Sequence, residues 1–149
     1  MSIKSHSIKT AELWFTQPNQ VEIRENEIPS PGPDEVMVST IYSAVSAGSE
    51  LLLYRGELPQ DISLDSTIKS FQKGAIYPLQ YGYACVGEVT QLGSQINSSW
   101  TGRKVFCFQP HVSHFLAKVK DLVLIPENVA LRDAVFLPNM ETAVNLIQD

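Results

Sequence analysis

The stretch from Tyr42 to Pro59, "YSAVSAGSELLLYRGELP", decides how this chain is read. It opens as a strand, breaks at Ser46, Ala47, Gly48, Ser49 and Glu50, and restarts as a short apolar run closed by Tyr54, Arg55 and Gly56. Small residues let a backbone turn tightly, and short polar side chains divert it from regular structure. The corner is therefore a place where hydroxyl and carboxyl groups gather beside a bend, suited to a small-molecule substrate. It holds neither Cys nor His.

Working outward, the surroundings are β-like. Upstream, "VMVSTIYSAVS" is rich in β-branched residues and predicts a long strand. Before it, "PSPGPDE" is a connector, because three prolines withhold amide donors. "AELWF" and "VEIRENEI" alternate apolar with polar, and "TQPNQ" between them carries the turn residues Pro18 and Asn19, which predicts a hairpin. Downstream, "YACVGEVTQLG", "GRKVFCF", "HFLAKV" and "LVLIP" read as further short strands. Gly87 inside the first of these marks a bulge or a close backbone approach. Two stretches change period. Leu64, Ile68 and Phe71 share one helical face, with Ser63 as N-cap and Gly74 as stop. From Glu127 the pattern is helical again, through "NVALRDAVFL", a break at Pro138, and "METAVNLIQD".

Short strands at close spacing, with helices gathered at the end, predict a mainly β barrel or sandwich. The 149 residues suffice for one domain. A formal charge of −5 argues against a nucleic acid or an anionic membrane surface as partner. No stretch approaches the roughly 18 apolar residues of a membrane span. Cys85 and Cys107 lie in apolar runs and read as buried thiols. With no apolar leader in "MSIKSHSIKT", a reducing, cytoplasmic setting is expected. No glycine-rich dinucleotide or phosphate loop is present.

The order of landmarks carries more. "PSPGPDEVMVS", "SAGSELLLYRGELP", "YPLQYGYACVGEVTQLGS", "GRKVF", "LVLIPENV" and "METAVNLI" together resemble the N-terminal catalytic domain of the medium-chain dehydrogenase/reductase superfamily, the alcohol dehydrogenase-like oxidoreductases. Gly48-Ser49-Glu50, Tyr81-Gly82-Tyr83 and Asn139 to Ala143 are similar to elements of its bacteriochlorophyllide a dehydrogenase-like branch. The resemblance runs from about Ala11 to the last residue. It implies a GroES-like, partly open β-barrel with a few short helices. It makes residues 1–149 an incomplete substrate-side domain whose C-terminal helix leads toward an absent Rossmann domain. NAD(P) is then expected only with that nucleotide-binding half. The expected partners are a small-molecule substrate and either a second copy in a homodimer or a separate nucleotide-binding domain.

The departures from the family pattern set the chemistry. Zinc-dependent members place a Cys where Ala47 stands and a His where Tyr83 stands. A catalytic zinc needs three side chains with lone pairs, and a phenol, ionising near pH ~10, replaces imidazole poorly. The expectation is a zinc-independent enzyme with no metal ligands. Six residues remain as candidates. Ser49 either contacts substrate or caps a helix. Glu50 is either an acid in an apolar cleft, or a residue that favours a helix first turn or pairs with Arg55. Tyr83 either hydrogen-bonds a substrate carbonyl or packs in the core. His111 either shuttles protons or stabilises a loop. By resemblance, Asn139 and Thr142 approach the nicotinamide; otherwise they cap and fit the last helix. The alternative function is a stand-alone ligand- or partner-binding module without catalysis.

Overall fold

The computed structural model describes residues 7–58 and 76–148. The helix expected over Leu64, Ile68 and Phe71 lies outside the described residues. Strands β1 (Ile8–Gln17) and β2 (Gln20–Ile28) form the expected antiparallel hairpin. Its turn places Asn19 at φ 62°, a left-handed conformation that asparagine tolerates better than most residues. Arg24 lies over the Trp14 ring, 4.8 Å from its centroid, and covers an exposed face of the hairpin.

The larger sheet comprises β3 (Glu35–Ser43), β4 (Cys85–Leu92), β5 (Lys104–Cys107), β6 (His114–Lys118) and β7 (Val123–Leu124), all antiparallel, in the order β6-β3-β4-β5-β7. Val36, Met37 and Val38 are consecutive and fully buried, so β3 is covered on both faces. The expected close approach at Gly87 is present. A Cβ there would stand 2.5 Å from Val38 Cγ1 and 2.6 Å from the Ser39 carbonyl oxygen, beside a register shift in β3. Bridges from Glu12 to Val112 and from Phe15 to Leu79 fasten the hairpin to the rest. Among the described residues β6 and β7 do not pair with each other, which leaves the barrel partly open, as the GroES-like reading requires.

Beside two short 3-10 turns, at Ser98–Trp100 and Val119–Asp121, the described residues form three α-helices: α1 (Ser49–Arg55), α2 (Leu131–Ala134) and α3 (Leu137–Gln148). The break expected at Pro138 falls just before it, at Val135 and Phe136 between α2 and α3, and Pro138 sits in the first turn of α3, where a missing amide hydrogen costs nothing. Helix α1 is held at its C-terminal end by the hairpin turn. Asn19 N–H donates to the Tyr54 carbonyl at 2.6 Å, and the Tyr54 hydroxyl donates to the Asn19 carbonyl at 3.0 Å. Gly56 closes the helix at φ 72°, and its N–H reaches the Leu52 and Leu53 carbonyls.

The core has three parts. Val36, Val38, Cys85, Val89, Val105, Cys107 and Phe115 fill one face of the sheet. Phe15, Leu53 and Tyr81 join the hairpin to α1. Ala84, Val86, Phe106 and Val135 anchor the C-terminal helices to the sheet. Cys85 and Cys107 face each other across β4 and β5 as free buried thiols. Burial raises both, Cys107 to about 12, with Cys85 and Asp121 adding to its shift, so neither is a nucleophile near neutral pH.

Candidate functional site

The corner that opens the sequence reading folds around a buried carboxylate. Glu50 and Leu53 are three apart and share the inward face of α1. Leu53 seats in the apolar cluster with Phe15 and Tyr81, burial that contributes about 1.5–3 kcal/mol for such a side chain. It therefore drives Glu50 inward as well, to 2% exposure. A carboxylate cannot stay there without partners, and Glu50 has two. Its Oε1 accepts from the Ser46 backbone N–H at 2.9 Å, and its Oε2 lies 2.7 Å from His111 Nε2. The expected pairing with Arg55 does not form. Five residues along a helix lie about 140° apart around its axis, so Arg55 points to solvent while Glu50 points in.

His111 precedes β6 and its side chain is only 10% exposed. Its backbone carbonyl accepts from Leu13 N–H at 2.9 Å, which ties it to β1. Its Nδ1 meets the Ser43 hydroxyl at the end of β3 in a short hydrogen bond. Its ring also lies against the backbone of Gly82, where an added Cβ would come within 3.0 Å of Cδ2 and Nε2. Gly82 has φ 134°, so glycine is required there twice over.

On the other side of the corner three hydroxyls line up. Ser49 Oγ lies 3.2 Å from Ser46 Oγ and 3.4 Å from the Tyr83 hydroxyl. A serine has one hydrogen and two lone pairs. Its one hydrogen can go to either neighbour; when Ser49 donates to Tyr83 and accepts from Ser46, the three form one directed chain that ends at Tyr83. Ser49 makes no side-chain capping bond; the N-cap position falls to Gly48. Tyr83 also meets Tyr81 edge-on, ring centroids 6.2 Å apart.

Ser49, Glu50, Tyr83 and His111 thus converge from three separate parts of the chain. Asn139 and Thr142 do not join them by any contact; both are exposed on α3. The Thr142 hydroxyl donates to the Pro138 carbonyl at 3.0 Å, which fits it into the helix. Asn139 is inside the helix and not at its cap. Sequence reasoning gave no role to Ser43 or to Ser46. Their signal is the recurrence of serine at 43, 46 and 49 across the break. Among the described residues, no three of His, Cys, Asp and Glu come together as a metal site, and Ala47 offers no lone pair in its side chain.

No protein-family model matches the chain. It is 36% identical over 90 residues to "Probable polyketide synthase 1" of Dictyostelium discoideum, covering 58% of this chain and 3% of that protein. It is 26% identical over 108 residues to "2-desacetyl-2-hydroxyethyl bacteriochlorophyllide A dehydrogenase" of Cereibacter sphaeroides, covering 69% of this chain and 30% of that one. An Escherichia coli alcohol dehydrogenase solved with NADH superposes on 92% of this chain with a TM-score of 0.67 at 22% identity, using 44% of its own length. The fold is that of the medium-chain reductases. Quinone and enoyl reductases share it, at TM-scores of 0.68 and 0.65. A GroES-like fold of this kind is what the sequence resemblance implied, and a bacteriochlorophyllide dehydrogenase is among the proteins this chain is similar to. The chain spans less than half the length of these relatives.

Proposed function

We propose that this chain is the substrate-side domain of a zinc-independent, NAD(P)-dependent oxidoreductase that reduces a carbonyl or an activated carbon–carbon double bond. The observation that carries this reading is the hydroxyl chain Tyr83–Ser49–Ser46, set at the corner where the family's zinc-dependent members hold their metal. NAD(P)H, when bound, supplies the hydride. The proton that must accompany it comes from this chain. The Tyr83 O–H bond breaks toward the reduced bond, Ser49 passes its hydrogen to Tyr83, and Ser46, partly exposed, replaces the hydrogen of Ser49 and recovers its own from water. No metal is needed in this scheme, and the donor set at Ala47 and Tyr83 does not fit one.

The residues available to the cofactor fit one edge of it. Asn139 and Thr142 are exposed on α3, and a Thr142 hydroxyl that donates inward keeps lone pairs outward for a carboxamide N–H. The rest of the dinucleotide requires a nucleotide-binding half, docked against the exposed apolar residues of α3. A soluble setting without nucleic acid or membrane fits this proposal, and among the described residues no helix is long and apolar enough to cross a membrane. The enoyl reductase relatives and the polyketide synthase match favour the double-bond substrate over an alcohol.

The test uses a protein in which this chain is followed by its nucleotide-binding half. Oxidation of NADH or NADPH with an enoyl thioester or an enone is expected. Tyr83→Phe should lower kcat by about 100-fold, the lower end of what a positioned acid contributes, with KM little changed. Absence of cofactor binding by that longer protein would remove the reading.

A further inference from the structure

The hydroxyl chain is mounted on a second, buried network that the reaction itself does not consume. Ser43, His111 and Glu50 are joined in series, and Glu50 then holds the Ser46 backbone. Each member belongs to a different element. Ser43 ends β3, His111 precedes β6 and is bound to β1, and Glu50 belongs to α1. The imidazole also packs on Gly82, the residue before Tyr83. His111 therefore stands between the two segments that carry the hydroxyls. One segment is reached through Glu50 and the other through direct contact.

The chemistry of the series is directional. An ionised carboxylate only accepts hydrogen bonds. With Oε1 taken by Ser46 N–H, Oε2 takes a hydrogen from Nε2, so Nε2 is the protonated ring nitrogen. Nδ1 is left to the Ser43 hydroxyl, which can donate to a neutral ring or accept from a charged one. The Ser43 hydroxyl can thus pair with Nδ1 as donor or as acceptor, which completes the series on the side away from Glu50.

We infer that Ser43, His111 and Glu50 are positioning residues, whose series of hydrogen bonds sets the Ser46–Ser49 corner against Tyr83. The inference rests on the reading that Tyr83 and Ser49 are the groups facing substrate, and it is tested without turnover. In this chain, labelled with 15N and with 13C at the tyrosine ζ carbon, long-range imidazole spectra should place the hydrogen on His111 Nε2. Ser43→Ala should leave the far-ultraviolet circular dichroism unchanged yet shift both the Ser46 amide and the Tyr83 ζ carbon. His111→Ala should shift them further, and His111→Gln, which keeps an N–H toward Glu50, should return the Ser46 amide toward its original position. If His111→Ala does not fold, Ser43→Ala and His111→Gln decide. The inference is overturned if Nε2 carries no hydrogen, or if Ser43→Ala moves only its chain neighbours. Intact coupling in a protein that never oxidises NAD(P)H would sink the functional reading alone. Activity without coupling would sink this one alone.

Discussion

Two regions of this molecule treat their side chains in opposite ways. At the α1 corner a glutamate, a residue seldom found inside a protein, is buried to 2% exposure. At α3 the apolar residues lie outside. Met140 and Ile147 are 59% and 85% exposed, and no residue of the helix is buried. The corner is finished, since each polar atom of Glu50 has a partner within the chain. Helix α3 is not finished. Just behind it, Val123, Leu124, Ile125, Pro126, Val129 and Leu137 line a shallow apolar hollow of about 240 Å³. An unsatisfied apolar surface on α3 and a satisfied polar cluster at α1 fit the proposed division of labour. In that proposal the site's acid groups belong to this chain and its covering to the nucleotide-binding half.

The largest break in this comparison comes from removing the buried carboxylate. Glu50→Ala leaves the Ser46 N–H and the His111 ring without an acceptor in a place water does not reach. Loss of about 3 kcal/mol is expected, the cost of stranding one side of a buried pair. Urea unfolding followed by circular dichroism measures it. A loss below about 1 kcal/mol would mean that Glu50 is solvated and that the corner is not a closed network. Gly82→Ala follows in size, at about 2 kcal/mol. It forces alanine to φ 134° and brings a methyl group within 3.0 Å of the His111 ring. Its sharper signature is displacement of the ring, visible as a changed imidazole spectrum even where the domain stays folded.

How far the sequence discloses this contrast depends on the range of the interactions involved. The hairpin was legible because Pro18 and Asn19 act on their own dihedral angles. Gly87 was legible because a glycine inside a strand run has few other reasons to be there. The partner of Glu50 was not. Arg55 is near in sequence and opposite in charge, but it is on the wrong side of the helix, while His111 arrives from 61 residues away through the β1–β6 contacts. The break near Pro138 was legible for a local reason, since a proline is excluded from a helix interior but welcome in a first turn. Ser43 and Ser46 carried only the recurrence of serine at 43, 46 and 49, because their roles exist only once the imidazole and the carboxylate are placed.

On α3 the same logic predicts tolerance. Met140→Ser and Ile147→Ser should change the stability of this chain by less than about 0.5 kcal/mol, because neither side chain is buried here. Their effect should fall on association with the nucleotide-binding half and on the tendency of the isolated chain to aggregate, read by light scattering. A loss above about 1 kcal/mol in the chain alone would show that the helix is already packed, and the contrast between the regions would fail.

The smallest effect sets a surface ion pair against the buried carboxylate–imidazole hydrogen bond. Asp34 and Lys118 meet at 2.8 Å on the surface, as Glu50 and His111 do inside. The Lys118 ammonium, by its hydrogen bond first and its charge second, holds the Asp34 carboxyl below the ordinary aspartate range. A group shifted down in the folded state lends stability above its unfolded pKa of about 3.9 and surrenders it as pH falls through the lower folded value. Lys118→Ala should therefore raise the Asp34 titration toward ~3.9 in a carboxyl-carbon NMR titration, and leave stability at neutral pH unaltered within error, because exposed pairs are screened. Were this variant as damaging as Glu50→Ala, charge pairing alone would explain both sites. If it is silent while Glu50→Ala unfolds the corner, then it is the exclusion of water, and not the pairing of charge, that makes the corner rigid enough to aim a hydroxyl.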